Sequence, residues 1–215
     1  MTVDLPPPAV PQPGELLRLF GKMDVYLFDQ LLKGRIRPGM KVLDAGCGDG
    51  RNLVYLMRAG FDVYGVDNAH ESLQAVRRLA RKVAPDLPET NFRADMIESL
   101  SFADATFDVV LSNAVLHFCR DEEHCMAMVD EMARVLAPGG MLFARLMSTI
   151  GIESLVEPLG DRRYRLPGGS EQLLADAEFL ERLTERVGAE WVEPLKAVVV
   201  EGSRSMAVWV IRKRV

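Results

Sequence analysis

Apolar residues change their spacing several times along this chain, and each change marks an element. Leu16, Leu17 and Phe20, then Val25, Leu27, Phe28, Leu31 and Leu32, recur at helical intervals. Gly21 divides this stretch into two helices, and Gly34 with Pro38-Gly39 ends the second. Beyond residue 40, short apolar runs alternate with amphipathic stretches. Residues 41–45, 61–66, 90–94, 107–112 and 141–147 read as strands; 51–59, 69–84 and 121–136 read as helices. Strands alternating with helices predict right-handed crossovers and a parallel sheet.

The last third breaks this rhythm. Residues 148–169 are rich in Gly, Pro and Arg and read as an inserted loop, and 170–187 read as a helix capped by Ser170. Two β-branched runs, 197–200 and 206–211, flank Glu201-Gly202-Ser203-Arg204 and predict a hairpin. The expected fold is therefore α/β: a Rossmann-like doubly wound sheet, mostly parallel, with a C-terminal antiparallel hairpin. Its expected divisions are a disordered Pro-rich tail (1–13), a helical cap (14–39) and a main domain (40–215). The main domain carries 148–169 as an insertion on the substrate side.

Composition narrows the function. With 215 residues, 48% of them hydrophobic, the chain suits one domain with a full core. The net charge of −5 and the lack of a basic run argue against nucleic acid, whose phosphates need clustered Lys and Arg. No apolar run approaches the ~18 residues of a membrane span, and residues 1–13 lack the features of a secretory signal. Three cysteines without framework spacing predict a reducing, cytoplasmic setting.

The candidate chemistry gathers where ligands sit in such folds, at the carboxyl ends of the strands. Strand one runs into Asp44-Ala45-Gly46-Cys47-Gly48-Asp49-Gly50. Missing Cβ atoms let a ligand lie on bare backbone, and the following helix offers free N–H groups. Strand two delivers Asp67 and Asn68, at roughly the ~20-residue interval expected of a carboxylate on ribose hydroxyls. Strand three delivers Asp95 and Met96, strand four Ser112 and Asn113 with His117 a turn later, and strand five Arg145. Plainer roles stand beside these. Asp67 and Asp95 suit N-caps, and Met96 and Tyr26 suit ordinary packing. His117 suits a structural position, and Cys47 suits a small apolar residue in the turn. His117, Cys119, His124 and Cys125 lack the paired spacing of a structural zinc site, so no metal is expected. Asp44 and Asp49 decide the ligand's charge: two carboxylates around the turn repel a pyrophosphate and attract a cationic nucleoside.

These motifs resemble the class I S-adenosylmethionine-dependent methyltransferases over roughly residues 40–147 and the terminal hairpin. Val42–Gly50 looks like their first motif and Val63-Tyr64-Gly65-Val66-Asp67 the second. Phe92–Met96 matches the third and Phe107–His117 the fourth, while Leu136–Leu142 resembles the turn and strand beyond. Gly50-Arg51-Asn52 with Tyr55-Leu56 is similar to the tellurite-resistance-type and other small-molecule members. The resemblance implies S-adenosylmethionine as cofactor. Asp44 and Gly46 would hold its methionine end, with Cys47, Gly48, Arg51 and Asn52 around the turn. Asp67 and Asn68 would take the ribose side, Asp95 and Met96 the adenine, and Asn113 the methionine amine. Tyr26 would belong to a lid.

Methyl transfer from a sulfonium is an in-line displacement that needs a base only if the acceptor must lose a proton early. His117 is the candidate base, and Tyr26, His117 and Arg145 are the candidate acceptor contacts. Arg145, with Arg162, Arg163 and Arg165 nearby in sequence, would suit an anionic acceptor. Strand four lacks the Asn/Asp-Pro-Pro-aromatic ending of amino-methylating nucleic-acid enzymes, so the expected acceptor is a small molecule, with neither nucleic acid nor membrane as partner. Two alternatives stay open: a non-catalytic cofactor-binding regulator, and a nicotinamide-dependent oxidoreductase, although the latter's Tyr-x-x-x-Lys pair is missing.

Overall fold

The computed structural model describes residues 12–215. The tail expected over 1–13 lies outside these residues except at its end. There Gln12 caps helix α1 (Pro13–Phe20) and Pro13 occupies its first turn, where its fixed φ suits the helix and its missing N–H has no helical acceptor to lose. Helix α2 (Val25–Leu32) follows, its first turn capped by the Asp24 carboxylate accepting from Tyr26 N.

The main sheet contains β1 (Lys41–Ala45), β2 (Asp62–Val66), β3 (Phe92–Arg93), β4 (Phe107–Asn113) and β5 (Leu136–Ser148). Between them lie α3 (Val54–Arg58), α4 (His70–Val83) and α5 (Glu122–Val135). Past α6 (Ala177–Arg186), three further strands complete it: β9 (Ala189–Trp191), β10 (Lys196–Val200) and β11 (Arg204–Lys213). The order is β10-β11-β5-β4-β1-β2-β3, with β9 also on β11. Pairings among β1 to β5 are parallel, and those of β9, β10 and β11 are antiparallel. The order reverses between β1 and β4, which opens a crevice at their carboxyl ends.

Strand periodicity explains why both faces are covered. Neighbours in sequence enter opposite cores: Leu43, Val110, Ala144 and Trp209 pack with α5 and α6, while Val42, Val109, Phe143 and Val208 pack with α2, α3 and α4. Trp209 is fully buried, and its indole N–H donates to Thr184 Oγ1 at 3.0 Å, so its one polar atom is satisfied.

Three expectations are corrected. First, the segment 148–169 is not a plain loop. It contributes β6 (Glu157–Gly160) and β7 (Arg163–Arg165), which with β8 (Glu171–Leu173) form a separate antiparallel sheet. This sheet is tied to the main one by Thr149 N donating to Ala175 O and Ala175 N to Met147 O, each at 3.0 Å. Second, Ser170 caps nothing. Residues 171–173 are extended, and the helix starts after Asp176, whose carboxylate accepts from Phe179 N at 2.7 Å. Third, the helix expected over 51–59 is regular only in α3, and β9 is a strand that no sequence expectation covered. Helix α2 is continuous with the main core, since Leu27 is fully buried among Val42 and its neighbours.

Candidate active site

The turn after β1 is stitched to the next strand. Gly46 N and Cys47 N both donate to Val66 O at 2.9 Å. Gly46 has φ +85, and a Cβ there would collide with Val115 Cγ2, so backbone conformation and packing both demand glycine. Asp67, at the end of β2, accepts from Gly48 N and from Ala69 N at 2.9 Å each. The contact with the glycine turn is thus made, but the expected helix cap is not: Ala69 is the N-cap of α4 and has no side-chain cap bond, and Asp67 closes only a local turn before it. A carboxylate has about four lone-pair sites, so each oxygen keeps acceptor capacity for a hydroxyl.

Above this turn is a cavity of about 340 Å³, within the range of small-ligand pockets. Gly46, Asp67, Asn68, Asp95 and Met96 all line it, brought from three strand ends. Asp95 is oriented by Ser101, whose N and Oγ donate to it at 3.0 and 2.6 Å. Met96 and Phe118 are 45% and 65% exposed at the mouth, apolar surface left open to solvent. Glu98 and His124 add a close pair at 3.0 Å. Ala114, also lining the cavity, holds φ +64 with its N–H donating to Arg145 O at 2.8 Å, a strained residue at the functional end of β4.

A second polar group adjoins the turn. Asp44 is buried and neither carboxylate oxygen has a hydrogen-bond partner. Burial pushes its pKa up to about 7, opposed by the nearby Arg51 charge and reinforced by Asp67. Arg51 donates to Asn113 Oδ1 at 2.7 Å, and the Asn113 amide nitrogen is buried without a partner. Asp44, Arg51 and Asn113 are not on the cavity's lining, but Gly46 and Ala114, close to Asp44 and Asn113 in the chain, are. Unsatisfied groups of opposite character there are what a ligand carrying both an ammonium and a carboxylate would complete.

Other expected residues have different neighbours. Asn52 does not face the cavity. It is buried, and its Oδ1 accepts from Asp24 N at 3.0 Å, anchoring the entry to α2. Cys47 packs its sulfur against Gly65 in the core, and burial pushes its thiol pKa up, so it is inert. His117 is buried off the cavity lining, with Nδ1 unpartnered, and burial lowers its pKa to about 4. Arg145 is not a free cation: its guanidinium pairs with the buried Asp24 carboxylate and stands 5.4 Å from the Tyr26 ring centre. Arg162 is committed to Glu122 and Asp176, Arg165 to Glu157 and Glu171, and Arg163 donates to Cys119 O and Glu171 O. Cys119 and Cys125 are buried in the core, and no cluster of three metal-ligating side chains occurs among the described residues. The sequence reading missed Asp24 and Phe118. An Asp before an apolar helix signals a cap, but nothing local marks Asp24 as the partner of a strand-five arginine.

A reversal crevice, a glycine turn and an acid-lined cavity define a nucleoside-binding α/β enzyme domain of the methyltransferase type. The methyltransferase-domain family matches residues 43–144. An uncharacterized methyltransferase of Bacillus subtilis, YodH, is 32% identical over 200 residues, covering 90% of this chain and 76% of that protein. A malonyl-[acyl-carrier protein] O-methyltransferase of Erwinia billingiae is 35% identical over 121 residues (56% of this chain, 43% of that one). A ubiquinone biosynthesis O-methyltransferase of Methylocella silvestris is 34% identical over 110 residues (51% and 41%). The chain thus spans less than half the length of these last two relatives. A crystal structure of a Methanosarcina mazei S-adenosylmethionine-dependent methyltransferase shares the fold with a TM-score of 0.71 at 21% identity, over 86% of this chain and 97% of that one. The chain belongs to the class I S-adenosylmethionine-dependent methyltransferases.

Proposed function

We propose that this chain transfers the methyl group of S-adenosylmethionine to an oxygen of a small-molecule acceptor. The observation that carries the reading is Asp44: a buried carboxylate with two unpartnered oxygens, beside a glycine turn and a cavity lined by further carboxylates. A phosphate-bearing ligand would meet repulsion there, and a ligand cationic at ammonium and sulfonium would meet attraction. The relatives named as O-methyltransferases support oxygen as the accepting atom.

The residues present suit the cofactor. Asp67 keeps acceptor sites for ribose hydroxyls, Met96 offers a polarisable face beside Asp95 for the adenine, and Asp44 and Asn113 supply acceptor and donor for the methionine end. When bound, the cofactor supplies a methyl group on a good neutral leaving group. The protein's task is then to orient the acceptor and exclude water. Helix α2, bearing Tyr26, and Phe118 at the mouth are the elements suited to that task. With a pKa near 4, His117 is neutral at neutral pH and a weak base, so the reading assigns it packing rather than proton abstraction. Arg145 is neutralised by Asp24, so an anionic acceptor would have to displace that carboxylate.

Calorimetric titration with S-adenosylmethionine, S-adenosylhomocysteine and NAD tests the site, and transfer of labelled methyl into a cell-extract small-molecule pool tests the reaction. Binding of the two sulfur nucleosides with label appearing in an organic-extractable ester or ether is expected. Binding without transfer to any extract would leave the regulatory reading in its place.

A further inference from the structure

The face of the molecule built by α1, α3 and α4 carries a groove of about 540 Å³, distinct from the cavity above the glycine turn and meeting the methyl-transfer site only at Asp49 and Arg51. Its floor is apolar: Val54, Ala75, Leu79 and Val83 are half-buried, and Leu17 is 57% exposed at one wall. Its rim is cationic, with Arg18, Lys22, Arg58, Arg78 and Lys82 all exposed. Among the described residues none of these five makes an ion pair, and none donates a side-chain hydrogen bond. Elsewhere on the surface many bases are committed, and the exposed ones that are not, Arg37, Arg120, Arg204, Arg212 and Arg214, do not line this groove. Arg81, also on α4, pairs with Glu89, and Arg134, Arg165, Arg182 and Arg186 each pair with a carboxylate. The one acid on the groove's lining, Asp49, accepts from Arg51 N in its own turn.

This pattern is costly to leave bare. Arg78 and Lys82 are i,i+4 neighbours on α4, where like charges repel by a few tenths of a kcal/mol. They stand in a chain whose net charge is −5. Helix-end placement accounts for Arg58 and Lys82, which sit in the last turns of α3 and α4. It does not account for Arg78 in the middle of α4, or for Lys22 beyond the end of α1.

We propose that this groove docks an acidic amphipathic helix of a partner protein. The floor residues Ala75, Leu79 and Val83 repeat every four positions along α4, the spacing that accepts an apolar helix stripe. The cations on either side match Asp and Glu flanking such a stripe. A bilayer is the poorer fit, because apolar contact with lipid needs hydrophobic residues standing above the charges, whereas here most of the floor lies below them.

The test uses the full chain and a fluorescein-labelled peptide of about 16 residues, helical, with a Leu stripe between Glu flanks. Controls are a scrambled peptide of the same composition and a peptide with Lys for Glu. Binding at least about tenfold tighter than either control, weakening as salt rises, is expected. The double variant Arg78→Glu/Lys82→Glu should lose about tenfold or more of that affinity while its S-adenosylmethionine titration stays unchanged, which shows that it is folded. The proposal is overturned if the scrambled peptide binds equally, if no peptide binds, or if the double variant binds as the parent does. It is overturned in favour of a lipid surface if the protein ignores the peptides yet sediments with phosphatidylglycerol-containing vesicles in a manner lost in the double variant.

Discussion

Asp24 and Arg145, 121 residues apart, form a partly buried ion pair that ties the start of α2 to the carboxyl end of β5. Asp24 serves three partners at once: its carboxylate caps Tyr26 N and receives Arg145, and its own N–H donates to Asn52 Oδ1. Arg145 lies opposite Asn113 in the β4–β5 register, so the pair also ends at the site.

Removing one partner leaves the other charge poorly compensated. Arg145→Met is expected to destabilise the fold by about 3 kcal/mol, less if water reaches Asp24, and to loosen α2. Urea unfolding and amide exchange over Val25–Leu32 would measure both. The double variant Asp24→Asn/Arg145→Met should recover part of the loss, and strict additivity of the two single effects would show the pair to be uncoupled.

Asp44 predicts a pH dependence. Its folded pKa of about 7 lies above the ordinary carboxylate value of 3.8. Ionising it in the free protein is therefore unfavourable: the penalty is absent below pH 4, grows as pH rises, and is complete above pH 7, on the order of 4 kcal/mol. Asp44→Asn is expected to stabilise the free protein at pH 8 and to weaken cofactor binding. In the parent protein, affinity should rise with pH up to about 7 as the cationic cofactor displaces the Asp44 proton. Calorimetry in buffers of different ionisation enthalpy would count that proton, and equal proton release by Asp44→Asn would assign it elsewhere.

Glu193 predicts acid sensitivity of the helical cap. Burial would raise its pKa, but hydrogen bonds from Lys196, Lys33 and Arg35 prevail and hold it at about 2, against an ordinary value of 4.5. Through Lys33 and Arg35 it links the end of α2 to the β9–β10 connection. A depressed carboxylate stabilises fully above pH 4.5, and that contribution is lost as pH falls towards 2. Glu193→Gln should lower stability by about 1–3 kcal/mol at pH 7, with the gap closing in acid. A gap that is constant with pH would assign its effect to packing instead.

His117 predicts a negative result with content. His117→Asn is expected to leave kcat within about threefold of the parent, with any loss in thermal stability. A fall of about a hundredfold in kcat, recovered at high pH, would make His117 the base after all.

The parallel core was legible because strands buried on both faces read as short apolar runs, as 107–112 and 141–147 do. The turn at Gly46 and the acids Asp67 and Asp95 were legible because glycine and carboxylate at strand ends have few other uses. The small β6-β7-β8 sheet was not. Its strands are short and mostly exposed, and they carry Arg163, Arg165 and Glu171 in place of apolar alternation. Asn52 was assigned to the cofactor by its place in the motif, whereas its partner is Asp24, 28 residues earlier at the start of α2.

The amino-acid order alone therefore determined the crossover fold, the glycine turn and the acids around it, because each follows from local periodicity and backbone freedom. Tertiary structure alone decided that Arg145 is already neutralised, that His117 is buried off the cavity's lining, and that Asp44 is left without a partner. Charge compensation and desolvation depend on which distant residues meet, and no local pattern encodes that meeting.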